Sequence, residues 1–130
     1  MKFTDVNRTI RLGVIGLGGR GYGQTETLLD MPDVEIAAVC DKYQDRTDAG
    51  VELVKRRRET NCFGTTDYRQ INRMEGLDAV VIMTDWELHA RIAIDAMRCG
   101  KAVAMEVGPA SSLDECWSLV HTSEDTGLPC

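Results

Sequence analysis

Short apolar runs alternate with segments of helical period along the chain. Leu12-Gly13-Val14-Ile15 is an apolar run ending in glycines, and Arg20 to Met31 then reads as a helix. Val34 to Cys40 is a second apolar run, cut off by Asp41. Gln44 to Arg58 has helical spacing, with Val51 and Val54 as a thin inward stripe. Ala79 to Met83 is unbroken in its apolarity, which predicts a strand buried on both faces. From Glu87 to Cys99, Leu88, Ile92, Ala96 and Ala93, Met97 recur at i, i+4, the stripe of an amphipathic helix, and Gly100 sits where a C′ glycine closes one. Ala102 to Met105 reads as a further strand. Ser112-Leu113-Asp114-Glu115 is a capping-box signature before a helix over Cys116 to Thr126, which Gly127 stops. The faintest strand signal lies at Cys62-Phe63, before a short segment from Tyr68 to Met74.

Strands separated by helices of this length define βαβ units, a parallel sheet and right-handed crossovers. The expected fold is therefore α/β, a doubly wound, Rossmann-like parallel sheet, with residues 1–9 as an N-terminal arm and 10–130 as a dinucleotide-binding domain. Gly127-Leu128-Pro129-Cys130 reads as the turn out of a helix into one more strand. A six-stranded sheet needs that strand, so the domain is expected to be C-terminally truncated, with a substrate domain beyond it.

Composition narrows the class of partner. The 130 residues suit one domain with a real core, and 43% hydrophobic with 28% charged residues is ordinary for a soluble globular chain. A net charge of −6 with 5% aromatics argues against binding nucleic acid. No apolar run approaches the roughly 18 residues that span a bilayer, so no membrane partner is expected. Met1-Lys2-Phe3-Thr4-Asp5 opens no secretory h-region. Five widely spaced cysteines without a C-x-x-C pair suit neither a disulfide framework nor a zinc site, and point to reduced thiols in a cytoplasmic protein.

The chemistry is concentrated in Gly16-Leu17-Gly18-Gly19-Arg20-Gly21, a G-x-G-x-x-G that follows a strand and opens a helix. In that context Gly16 permits the tight turn, Gly18 lets the backbone approach a pyrophosphate, and Gly21 lets helix and strand pack closely. The helix N-terminus supplies free N–H groups and the positive end of a dipole. Asp41 ends the second strand 20 residues beyond Gly21, where an acidic side chain binds ribose hydroxyls and repels a 2′-phosphate. The expected cofactor is thus NAD, with Lys42 the one neighbouring cation that could accept the phosphate of NADP.

The glycine fingerprint, then Thr84-Asp85-Trp86-Glu87-Leu88-His89, then Gly100-Lys101-Ala102-Val103-Ala104-Met105-Glu106, resembles the N-terminal domain of the Gfo/Idh/MocA oxidoreductases from Ile10 onward. That family's third motif usually reads Glu-Lys-Pro, its lysine assisting hydride transfer at a sugar or polyol hydroxyl. Here the segment is Glu106-Val107-Gly108-Pro109, without the lysine and with one residue inserted. Together with Trp86 to His89 and Asp114-Glu115-Cys116-Trp117, it is most similar to the glycoside hydrolase family 109 branch, the NAD-dependent α-N-acetylgalactosaminidases. The resemblance implies an enzyme that oxidises a sugar at C3, eliminates the aglycone through the acidified C2 proton, adds water and reduces the ring again. It also implies that Gly19, Arg20, Asp41, Trp86, Glu87, His89, Glu106 and Val107 line the cofactor, and that the catalytic residues lie outside this chain.

A sugar or polyol dehydrogenase domain and a non-catalytic NAD(H)-sensing regulator are the rival functions. An S-adenosylmethionine-binding Rossmann domain fits less well with Gly21 present. His121 and the basic run Lys55 to Arg58 read as solvated helix surface, and Cys40 as a buried inert thiol. Without a sixth strand the Ala102–Met105 edge is open, so a homo-oligomer, most simply a two-fold dimer, is expected.

Overall fold

The computed structural model describes residues 8–130, so most of the expected N-terminal arm lies outside the described residues. Five strands, β1 (Ile10–Ile15), β2 (Val34–Cys40), β3 (Phe63–Thr65), β4 (Ala79–Ile82) and β5 (Ala102–Met105), alternate with helices α1 (Gly19–Leu29), α2 (Gln44–Arg58), α3 (Tyr68–Arg73), α4 (Trp86–Arg98) and α5 (Leu113–Thr126). They form one parallel sheet in the order β3-β2-β1-β4-β5. The chain reverses its direction of travel across the sheet between β1 and β4. Right-handed crossovers therefore put α1 and α2 on one face and the later helices on the other.

Each face has its own core. Val14, Ile36 and Val39 pack with Leu53 and Val54 of α2 on one side, whereas Val80 and Ile82 pack with Ile92, Ala93 and Met97 of α4 on the other. Gly13 lets α3 close on the sheet, because a Cβ there would lie 2.4 Å from Ile71 Cγ2. At the lower end of the sheet Asp78 is nearly buried. It accepts the Arg11 main-chain N–H at 2.9 Å and pairs with Arg8.

The faint strand signal at Cys62-Phe63 is borne out from Phe63 onward: β3 pairs with the end of β2, Ala38 opposite Phe63. Two other expectations change on inspection. The inward side of α2 is Thr47, Gly50, Leu53 and Val54, with Val51 only half-buried, because Thr47 and Gly50 are invisible to a count of apolar residues. β4 is buried on one face only: Val80 and Ile82 are covered, but Val81 is half-buried and its β5 neighbour Ala104 is exposed. The α1 side carries no helix directly over β4 and β5, and apolarity alone does not reveal that.

Helix ends follow local chemistry. Ser112 Oγ accepts the Glu115 N–H at 3.2 Å, half of the expected capping box. Glu115 returns its bond to the Ser111 N–H rather than to that of Ser112, and α5 starts at Leu113, before Cys116. The β5 edge is not wholly open either. The Val103 N–H donates to the Pro129 carbonyl at 3.0 Å, so the tail covers part of that edge.

Candidate functional site

A cleft of about 380 Å³ opens at the carboxyl ends of β1 and β4, where the chain switches direction. This is where open α/β sheets bind ligands. Gly16, Gly18 and Asp41 line it from one side, Met83 and Thr84 from the other.

The glycines divide by what demands them. Gly16 has φ +99°, and a Cβ there would strike the Met83 carbonyl at 2.5 Å. A Cβ on Gly21 would lie 2.0 Å from Gly16 O, so helix and turn meet only through glycine. Gly18 differs: its φ is −62°, and a Cβ would touch nothing nearer than Arg46 Nη1 at 3.6 Å. Nothing in the chain requires glycine there, which leaves room for a ligand to reach the main chain. Gly18 is also the N-cap of α1, with no side-chain cap and no acidic residue in the first turn. The first amides of α1 are thus left for an anion, as a pyrophosphate requires. The residues fit the cofactor.

Asp41 is only 6% exposed. Its Oδ2 accepts the Leu17 N–H at 2.7 Å and its Oδ1 the Tyr43 N–H at 3.0 Å. The Thr47 hydroxyl, buried beneath, accepts the Asp41 N–H at 3.1 Å. The carboxylate is therefore preorganised at the cleft rim, with acceptor capacity left over for hydroxyls. The cation beside it is Arg46, whose Nη1 lies 4.0 Å from Asp41 Oδ2 and whose guanidinium lies over the Tyr43 ring. Lys42 instead approaches Asp85 at 3.7 Å. Sequence reading missed Arg46, Tyr43 and Thr47. The first turn of the helix after the acidic residue was the place to look for them.

The remaining predicted residues gather at a second cluster around the end of β5. Arg20 Nε donates to Glu106 Oε1 at 3.0 Å, joined by Gln24 Nε2 at 3.2 Å, while Oε2 accepts the Val107 N–H. The Arg20 hydrogen bond, above all, holds the Glu106 carboxyl below the usual carboxylate range. Gly19 is open-sided beside Arg20, at the start of the same helix. Trp86 is 63% exposed, and its indole lies against Gly108, where a Cβ would be 2.7 Å from three ring atoms. Glu87 is exposed, and Val107 is 80% exposed. His89, expected on the cofactor side, is fully buried, with both ring nitrogens on main-chain carbonyls. It supports the cleft from beneath rather than facing it.

The cysteines show no nucleophilic arrangement. Burial, then the nearby Asp41 and Asp67, push the Cys40 thiol up to about 12, and burial does the same to Cys62. Among the described residues no cluster of His, Cys, Asp and Glu suits a metal ion, and no helix is long and apolar enough to cross a membrane.

A parallel sheet that reverses between β1 and β4, with an uncapped glycine turn and a carboxylate at the end of β2, defines a dinucleotide-binding Rossmann domain. The profile of Gfo/Idh/MocA, an oxidoreductase family with an NAD-binding Rossmann fold, matches residues 10–130, and the chain belongs to that family. It is 42% identical to glycosyl hydrolase family 109 protein 2 of Akkermansia muciniphila, over 93% of this chain and 26% of that protein. It is 38% identical to an α-N-acetylgalactosaminidase of Shewanella oneidensis, over 93% of this chain and 27% of that one. The chain thus spans about a quarter of the length of these relatives. Solved structures share the fold at lower identity. A 3-ketoreductase from Actinomadura kijaniata, in complex with NADP and TDP-benzene, matches with TM-score 0.82 and 24% identity over 93% of this chain and 36% of that one. A biliverdin reductase from Synechocystis sp. PCC 6803, in complex with biliverdin and NADP+, matches with TM-score 0.83 and 18% identity over 93% and 36%.

Proposed function

We propose that this NAD-binding domain serves a carbohydrate-acting enzyme of the glycoside hydrolase family 109 type, in which redox chemistry at the sugar ring assists cleavage of an N-acetylgalactosaminide. The observation that carries the reading is Val107. The segment Glu106-Val107-Gly108-Pro109 holds no lysine, where the resemblance implies one that moves a hydroxyl proton in the family's dehydrogenases, and its Val107 is apolar and solvent-facing. The proton-transfer groups must then come from elsewhere, as in a hydrolase whose acid and base lie on another domain. Bound NAD would supply a hydride acceptor and return the hydride within one turnover. The chain's own part is to bind and orient: the α1 amides for the pyrophosphate, Asp41 for the ribose, and the Glu106–Gly108 loop, held by Arg20, at the open end of the cleft.

NAD is preferred to NADP in this reading because Asp41 is fixed at the rim as an acceptor. The unpaired cysteines among the described residues support a reducing, cytoplasmic setting. The test is an assay on the whole polypeptide that carries this chain. Hydrolysis of an α-N-acetylgalactosaminide that depends on NAD without net NADH formation, and exchanges the C2 proton with solvent, supports the proposal. Stoichiometric sugar-dependent NADH formation without hydrolysis would make the protein a dehydrogenase instead.

A further inference from the structure

Arg46 stands in the first turn of α2, the helix that follows Asp41. Its Cζ lies 4.7 Å from the centroid of the Tyr43 ring, and its Nη1 is 4.0 Å from Asp41 Oδ2. At that separation the two charges attract, but the gap is too long for a hydrogen bond. Among the described residues the guanidinium makes no hydrogen bond, and the side chain is 46% exposed. It lines the cleft together with Gly18, Asp41 and Tyr43. The Asp41 carboxylate, by contrast, cannot turn away, because main-chain N–H groups hold both of its oxygens. Lys42, the other cation at this rim, is drawn towards Asp85 at 3.7 Å, and Asp45 of the same turn does not line the cleft. A fixed acceptor therefore stands beside a cation whose donors are free.

We propose that Arg46 is a specificity-determining residue that opposes Asp41. It offers a partner to a 2′-phosphate, so NADP is disfavoured less than a lone carboxylate would dictate. A ribose with both hydroxyls free is read by Asp41, through the acceptor capacity that the main chain leaves over. A phosphate in place of one hydroxyl meets the repulsion of that carboxylate and, beside it, a planar guanidinium whose N–H groups match phosphate oxygens in pairs. The Tyr43 ring seats that plane, so less side-chain freedom is lost on binding. Arg46 Nη1 is also 3.6 Å from the position a Cβ on Gly18 would take, so the same group borders the glycine turn. A contact to the pyrophosphate would serve NAD and NADP alike, whereas a contact to the 2′-phosphate serves NADP only. The seat on Tyr43, whose own N–H binds the other oxygen of Asp41, ties Arg46 to the ribose-reading group and favours the second. The part that sequence reading gave to Lys42 thus passes to Arg46. The proposal rests on this cleft being the dinucleotide site.

Calorimetry with NAD and with NADP, on the whole polypeptide that carries this chain, tests the assignment. In Arg46→Gln the affinity for NADP should fall about tenfold further than the affinity for NAD. Equal losses would make the guanidinium a pyrophosphate or adenine contact, and no loss of either would make it a bystander; both results overturn the proposal. Asp41→Asn removes the opposing charge and should bring NADP binding level with NAD or above it. Adding Arg46→Gln to that variant should cancel the gain, and a gain that survives without the guanidinium also overturns the proposal. If Arg46→Gln does not fold by circular dichroism, Tyr43→Leu decides instead. Loss of the ring that seats the guanidinium should lower the affinity for NADP relative to NAD, and an unmoved ratio overturns the proposal. Failure of the unaltered protein to bind either dinucleotide would refute the cofactor reading of the cleft and the role of Arg46 with it. Binding of NAD with a ratio indifferent to Arg46 would refute that role alone.

Discussion

Asp41 Oδ2 accepts the main-chain N–H of Leu17 at 2.7 Å, so the carboxylate proposed to read the cofactor ribose also fixes the glycine turn beside it. The proposal therefore couples cofactor selectivity to turn geometry through one buried side chain. Asp41→Ala leaves the Leu17 and Tyr43 amides without their acceptor, at a cost of about 1–3 kcal/mol of stability by the usual penalty for a lost buried partner. It should weaken NAD binding and narrow the preference for NAD over NADP, both measurable by calorimetry. Asp41→Asn retains an acceptor oxygen and should recover much of the stability but little of the selectivity. Tighter binding of NADP by the unaltered chain would remove the basis of the assignment.

The glycines offer a cleaner separation of folding from binding. Gly21→Ala drives a methyl group to 2.0 Å from the Gly16 carbonyl, a backbone atom that cannot step aside, and should lower the melting temperature sharply. Gly18→Val meets no such obstacle, because Gly18 has an ordinary φ and open space beside it. It should keep the circular dichroism spectrum and melting temperature while abolishing NAD binding. Undiminished affinity in a folded Gly18→Val protein would mean that nothing approaches the turn.

The parts of this site that lie close in sequence were legible there, and those assembled by the fold were not. The turn from Gly16 to Gly21 and the placement of Asp41 follow from local rules about strand ends and positive φ. The Arg20–Glu106 pair joins residues 86 positions apart, so both could be named as site residues but not as partners. His89 was read from its place at the sheet's carboxyl edge, which is correct, but the direction of its ring depends on how the loop at Gly108 returns over α4. The half-open face at Val81 and Ala104 escaped for a similar reason: an apolar strand reads the same whether one helix layer or two cover it.

The thiols should sort by burial. With its ordinary value near 9.0 raised to about 12 by burial, Cys40 stays protonated at any working pH, whereas Cys116 is exposed. Iodoacetamide at pH 8 should label Cys116 readily and spare Cys40 until the chain is unfolded, as peptide mass spectrometry would show. The folded state holds the protons of Cys40 and Cys62 more tightly than the unfolded chain does. Stability is therefore intact below pH 9 and declines as the pH rises from there towards about 12. Rapid native labelling of Cys40 would show that the strand end opens far more often than its burial allows.

The edge of β5 sets the last expectation, and the structure sharpens it. Pairing of Val103 with Pro129 occupies one outward N–H, and the alternation of a strand directs the next outward N–H to Met105. Ala104 between them is exposed, on the sheet face that α1 leaves partly bare. A short edge with one open donor beside an apolar face is a template for a second strand, though a smaller one than a wholly free edge. The 130-residue segment in isolation should therefore self-associate weakly, as a two-fold dimer whose population rises with concentration in light scattering. Ala104→Lys places a charge on that face, where edge strands commonly carry one to block pairing, and should return the protein to monomer without loss of NAD binding. Removal of Pro129 and Cys130 frees the Val103 donor and should strengthen association. A monomer at the highest attainable concentration, or a dimer indifferent to Ala104→Lys, would show that this edge does not pair.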